Sequence, residues 1–88
     1  MHTSVDISLY PLRADYLQPI ITFIQRLQGT AGLTVATNPL STQVSGDYDL
    51  VMDTLKEAMR DSLAHGTTCA FVLKVLNVAV EPGEILRF

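Results

Sequence analysis

The segment from Thr37 to Asp47 carries hydroxyl, amide and carboxylate side chains in close succession, in a chain of 88 residues. Hydroxyl and amide groups can each donate and accept a hydrogen bond. A group of such side chains suits a neutral polar heterocycle better than a charged polymer. The same residue types are also typical of turns and of the polar edge of a strand pair, so a purely structural role is the alternative.

The sequence lacks the residue sets that most enzymes use. It has no GxSxG, P-loop or HExxH motif, and no Cys–His pair at a plausible spacing. The single cysteine, Cys69, excludes an internal disulfide and a CxxC metal or redox site. We therefore expect a protein that is not an enzyme and that holds no metal or cofactor. His65 is predicted to cap a helix, and His2 to be mobile near the terminus.

Composition and charge limit the classes of partner that the protein is expected to bind. Charged residues make up 17% of the chain and the net charge is −3, whereas about a quarter of the residues are charged in typical soluble proteins. This shortage of polar cover favours self-association. The six lysines and arginines are scattered along the chain, which argues against nucleic-acid binding, because that requires several cations on one face.

The length predicts a single domain over residues 1–88. The longest apolar run is Cys69–Leu73, whereas a membrane span needs about 20 apolar residues. The first residues carry no basic and then apolar signal region, so the expected location is the cytoplasm, with no membrane partner.

The first half of the chain predicts a strand and a helix. Residues 5–10 alternate between apolar and polar types, which is typical of a half-buried strand, and Pro11 ends it. Asp15 is the predicted N-cap of the helix, with Gln18 completing a capping box, and Gly29 ends the helix. The predicted apolar face of this helix comprises Leu17, Ile20, Ile21, Ile24 and Leu27.

The second half predicts three strands and a helix. Residues 33–37 and 40–45 form a hairpin-like pair joined at Asn38–Pro39, and the second strand ends at Gly46. Asp47 is predicted to cap a helix that ends near His65, with Gly66 at the C′ position. The predicted apolar face of that helix comprises Tyr48, Val51, Met52, Leu55, Met59 and Leu63.

Residues 68–80 form the most apolar segment and predict a long last strand with two apolar faces. The resulting β-α-β-β-α-β order is typical of the α+β ferredoxin-like fold, a four-stranded antiparallel sheet with two helices on one face. Because helices cover only one face, a second copy of the chain is expected to bury or extend the sheet.

Two stretches of this sequence resemble a known family. Ser8-Leu9-Tyr10-Pro11-Leu12 and the stretch from Asn38 to Met52, with its P-L-S-T-x-V-x-G core and acidic helix start, are similar to the YkoF-like thiamine/hydroxymethylpyrimidine-binding family. The last strand, Val72 to Asn77, is similar too. The resemblance implies a ferredoxin-like fold, an oligomer built by sheet contacts, and binding of thiamine or its pyrimidine moiety without catalysis. Some members carry the unit twice; this chain carries it once, which implies a homo-dimer or homo-tetramer.

An aminopyrimidine needs an acceptor for its amine and polar partners for its ring nitrogens, and its flat ring needs an aromatic or aliphatic wall. If the site lies between helices and sheet, Thr42 should contribute more than Ser41; if it lies on the open face, Ser41 should. The predicted binding residues are Ser8, Tyr10, Asn38, Ser41, Thr42 and Asp47, with Tyr48 and Phe71 as further candidates for the wall.

Two other functions are alternatives for this sequence. The first is a regulatory or structural oligomerisation module that binds another small metabolite or a protein. The second is an acylphosphatase-like enzyme, in which Arg13 after the first strand would bind phosphate. The loop from Pro11 to Asp15 has no glycine to expose backbone N–H groups, and Asp15 would repel phosphate, so the sequence disfavours the enzyme.

Overall fold

The computed structural model describes residues 1–65 and 68–88, and its elements follow the predicted β-α-β-β-α-β order. All three strand pairs are antiparallel, and the strand order across the sheet is β2-β3-β1-β4. The chain thus has the predicted α+β ferredoxin-like fold. The elements are β1 (His2–Pro11), α1 (Leu17–Gln28), β2 (Thr34–Thr37), β3 (Thr42–Asp47), α2 (Tyr48–Ala64) and β4 (Cys69–Leu76).

The core lies between the sheet and the two helices. Every second residue of β1 is buried, and Val5 is directly opposite the buried Val44 of β3. Phe23 of α1 contacts Phe71 of β4, with 5.1 Å between the ring centroids. The remaining buried apolar side chains come from both layers: Ile7, Leu9, Leu27, Val51, Leu55 and Ala58.

Helix α1 begins one residue later than predicted. Its N-cap is Tyr16, which makes no side-chain cap bond, and Asp15 instead pairs with Arg13 at 3.0 Å. The reason is Pro19. With Asp15 as N-cap, Pro19 would occupy the fourth helical position, whose N–H makes an intrahelical bond; with Tyr16 as N-cap it occupies the third, which needs none. The predicted capping box is therefore wrong. The apolar face is also shifted, since Phe23 is buried and Leu17 is exposed.

Helix α2 begins as predicted. The Asp47 carboxylate accepts a hydrogen bond from the Asp49 backbone N–H at 3.2 Å. At the other end His65 is the C-cap, and its ring nitrogen Nδ1 contacts the Asp61 carbonyl oxygen. The predicted apolar face is confirmed at Val51 and Leu55, whereas Leu63 is 57% exposed. Gly66 lies outside the described residues.

Three strand boundaries differ from the prediction. β1 starts at His2 rather than at residue 5, and the His2 ring nitrogen Nε2 lies 2.6 Å from Ser45 Oγ. β2 begins at Thr34. β3 starts at Thr42 rather than Leu40, because Leu40 and Ser41 donate their backbone N–H groups to the Asn38 side chain.

The last strand, β4, ends at Leu76, and the following segment crosses the open face of the sheet. Ser4 Oγ donates to the Val78 carbonyl at 2.8 Å and accepts from the Val80 N–H at 3.2 Å. The Gly83 N–H donates to Gln43 Oε1 at 2.7 Å. Gly83 has φ +80°, and a Cβ there would lie 3.0 Å from the Ala36 Cβ, so glycine suits this crossing.

The predicted strand over residues 68–80 is therefore too long. Its last residues leave the sheet because the Ser4 side chain, on the open face, bonds to their backbone. The chain's own C-terminal segment thus covers part of the face that was expected to meet a second copy. Val72 of β4, on the same face, remains 60% exposed.

Candidate functional site

A cavity of about 370 Å³ lies beside α1, where β3 begins next to β1, and five of the six predicted binding residues line it. Its volume falls within the range of about 300–1,000 Å³ that is common for small-molecule sites. The five residues come from β1 and from the hairpin: Ser8, Tyr10, Asn38, Ser41 and Thr42. The cavity therefore brings together two stretches that are separated by α1 and β2 in the sequence.

The cavity exists because β1 and β3 have different lengths. Their last pair is Ile7 with Thr42, while β1 continues to Pro11. On the side of β1 that faces β3, residues 8–11 therefore have the turn at residues 38–41 as their neighbour instead of a paired strand. Ser8 Oγ donates to the Leu40 carbonyl at 3.3 Å, which ties this turn to β1.

The inner wall of the cavity is apolar. It is made by Ile7 and Leu9, which point from β1 toward the helices, and by Ile20, Phe23 and Ile24 of α1. Both strand residues and Phe23 belong to the buried core, so this wall is held by core packing. A flat ring fits against such a wall of aliphatic and aromatic side chains.

Asn38 has two functions in this arrangement. Its side-chain oxygen accepts from the backbone N–H groups of Leu40 and Ser41, at 2.9 and 3.1 Å. The Asn38 side-chain oxygen therefore stabilises the turn, which is the purely structural role that the sequence also allowed. The two N–H groups of the same carboxamide are the part of Asn38 that can donate to a ligand.

Thr42 supplies an acceptor. Its side chain is on the helix-facing side of β3, and the residue is 4% exposed. Its hydroxyl oxygen lies 2.9 Å from that of Thr37, and the Thr37 hydroxyl also donates to the Ser41 carbonyl at 3.3 Å. Either hydroxyl can be the donor within the pair, and in both arrangements Thr42 keeps a lone pair that is able to accept.

Asp47 lies apart from the other five residues. It is at the opposite end of β3, and it does not line the cavity. One carboxylate oxygen caps α2 and the other lies 3.8 Å from the N-terminal ammonium of Met1. The structure thus gives Asp47 a capping role. Tyr48 and Phe71 are likewise absent from the residues that line the cavity.

Several residues that line the cavity were not among the predicted binding residues. Thr37 was part of the polar segment but was not singled out, although it is paired with Thr42. Phe23 fell outside the predicted apolar face, and only the orientation of α1 on the sheet brings it to the cavity. Ile20 and Ile24 were predicted as core residues; their spacing of four residues could have indicated a shared wall.

The described residues that line this cavity carry no charged side chain. A neighbouring cavity of about 500 Å³ between α1 and α2 differs in this respect. It is lined by the ion pairs Arg13–Asp15 and Arg26–Asp61, together with His65. Across residues 1–65 and 68–88, no cluster of three or more His, Cys, Asp or Glu side chains could hold a metal ion.

The sequence of residues 2–76 matches the model of the YKOF-related family. The chain belongs to this family. The match spans every strand and both helices, including both stretches that form the cavity. A comparison with curated proteins found no match.

Solved structures share the fold of this YKOF-related chain. A Streptococcus pneumoniae protein is 27% identical with a TM-score of 0.79, covering 91% of this chain and 89% of its own. A Methanocaldococcus jannaschii protein is 23% identical with a TM-score of 0.77, covering 96% and 88%. A Thermotoga maritima protein provisionally assigned to thiamine biosynthesis or salvage is 22% identical, with a TM-score of 0.75, covering 85% and 82%.

In the described part of this family member, no helix is long and apolar enough to cross a membrane.

Proposed function

We propose that the 370 Å³ cavity binds thiamine or its hydroxymethylpyrimidine moiety and releases it unchanged. The observation that carries the proposal is the convergence of five predicted binding residues on one uncharged cavity with an apolar wall. Membership of the YKOF-related family supports the ligand class. The provisional assignment of the similar Thermotoga maritima protein to thiamine biosynthesis or salvage supports it as well.

The hydrogen-bonding groups suit an aminopyrimidine. Its exocyclic amine donates, and the free lone pairs of Thr42 Oγ1 can accept from it. Its ring nitrogens accept, and the N–H groups of Asn38 can donate to them. Its flat ring fits the wall formed by Phe23 and the isoleucines. Thr42 should contribute more than Ser41, since the cavity lies on the helix-facing side of the sheet.

The proposal includes no chemical step. Described lining groups are hydroxyls, one carboxamide and apolar side chains, with no carboxylate, imidazole, thiol or amine among them. The function proposed is therefore binding for delivery, storage or sensing.

We also propose that the protein self-associates as a homo-dimer or homo-tetramer through its open sheet face. Val72 and Leu76 of β4 are large apolar residues that remain exposed there. Exposed apolar patches of this kind are typical of interaction sites. The alternative function is an oligomerisation module that binds another metabolite or a protein. It would use the same surface for self-association, but it would bind a different partner.

Calorimetric titration tests the binding proposal. Hydroxymethylpyrimidine or thiamine added to the wild-type protein should give saturable heat with one ligand per chain. Absence of heat at millimolar concentration of both compounds would contradict the proposal and favour the alternative module. Xanthine at the same concentration is a control for a flat polar ring with a different donor and acceptor pattern, and it should bind more weakly.

A further inference from the structure

The cavity's lack of charge has a consequence for which form of the ligand it accepts. We infer that it takes the unphosphorylated compound and discriminates against its phosphate esters; this rests on the proposed function. Near neutral pH a phosphate monoester carries close to two negative charges. An anion that enters or borders a cavity without a cationic partner loses hydration that nothing replaces.

The interior of the cavity offers an anion little compensation. Its polar side chains are hydroxyls and one carboxamide, and those of Ser8, Thr37, Asn38 and Thr42 already bond to one another or to the turn. The other polar side chains that line it are those of Tyr10, Tyr16 and Ser41. Protein sites for phosphate typically combine Lys or Arg side chains with successive backbone N–H groups. The backbone N–H groups of Leu40 and Ser41 already donate to Asn38.

The mouth of the cavity is also uncharged in the described part of the chain. Its large exposed apolar residues include Leu40 and Leu12, at 86% and 64% exposure. Arg13 follows Leu12 in sequence, but it lines the neighbouring cavity and pairs with Asp15 at 3.0 Å. The net charge of the protein, −3, repels an anion further.

One feature near the mouth could attract an anion, namely the N-terminus of α1 at Tyr16. Pro19 weakens it, because it removes one of the free N–H groups of the first turn, and the Arg13–Asp15 pair that precedes the N-cap adds no net charge. The helix end therefore does not supply the missing positive charge.

Two matched pairs of ligands test the inference by calorimetry at low salt: hydroxymethylpyrimidine against its phosphate, and thiamine against thiamine diphosphate. In each pair the ester should bind at least about fivefold more weakly. A smaller difference, or tighter binding of either ester, would overturn the inference while leaving the proposed function intact. If no compound of either pair binds, the proposed function itself fails.

A charge added at the mouth gives a second test. Leu40 contributes only backbone atoms to the turn, because its N–H donates to Asn38 and its carbonyl accepts from Ser8. In Leu40→Lys, the ester should gain at least about fivefold in affinity relative to its alcohol, and about 0.5 M NaCl should reduce the gain. Leu40→Met, the uncharged control, should keep the wild-type ratio. An unchanged ratio in Leu40→Lys would contradict the role assigned to charge.

Discussion

Replacing Thr42 with valine should reduce ligand affinity more than it reduces stability. Valine has nearly the shape of threonine and favours a strand, so the change removes chiefly the hydroxyl. In the free protein this breaks the 2.9 Å bond to Thr37, which should cost about 1 kcal/mol of unfolding free energy. In the complex it also removes the acceptor for the ligand's amine. Losing one buried hydrogen bond should cost about 1–3 kcal/mol of binding free energy, or roughly 5- to 150-fold in affinity.

The assay is calorimetric titration of hydroxymethylpyrimidine, with urea unfolding of the same variants. Thr37→Val is the matched control, because it breaks the same bond but leaves the Thr42 oxygen at the cavity. It also removes the 3.3 Å bond to the Ser41 carbonyl, so its unfolding free energy should fall by at least as much, while its affinity should fall less. If Thr42→Val binds within about twofold of wild type, the assignment of Thr42 as the acceptor is refuted.

Three further outcomes follow from the structure. Asp47→Ala should lower the unfolding free energy by about 1 kcal/mol and leave affinity unchanged, because Asp47 caps α2 away from the cavity; a larger loss of binding than of stability would contradict this. Ser4→Ala should release the C-terminal segment, and faster hydrogen exchange at the Val80 amide would show it, whereas unchanged exchange would mean that other contacts hold the segment. Light scattering at micromolar concentration should find a dimer or tetramer; a stable species of 9.7 kDa would contradict self-association.

Local signals in the sequence predicted a helix boundary correctly where a single residue determines it. Asp47 directly before an amphipathic run correctly predicted the start of α2, because a cap acts on backbone N–H groups two or three residues away. At α1 two local signals conflicted. Asp15 and Gln18 matched a capping box, but the missing N–H of Pro19 shifted the helix start by one residue.

The path of the C-terminal segment could not be predicted from its own residues. It depends on Ser4 and Gln43, which lie on different strands and become neighbours only through the sheet register. The hydrophobicity of residues 77–80 suggested more strand, since apolar composition does not distinguish pairing in a sheet from packing across its face.

The candidate site was predictable only where its residues are close together in the sequence. The polar hairpin is a local feature, so Asn38 and Thr42 were recognised from sequence. Their convergence with Ser8 and Tyr10 depends on how far β1 extends beyond its last pair with β3. The apolar wall depends on how α1 packs on the sheet. This packing brings Phe23 to the cavity, which the spacing of the isoleucines alone did not predict.

An NMR titration with ¹⁵N-labelled protein tests the central claim most directly, because it reports both binding and its location. Hydroxymethylpyrimidine should shift the backbone amides of residues 8–12, 20–24 and 37–42, and the shifts should saturate at one ligand per chain. The amides of Asp47 and Val80, which lie away from the cavity, should move little. No shift at millimolar ligand, or shifts confined to the open sheet face, would contradict the account.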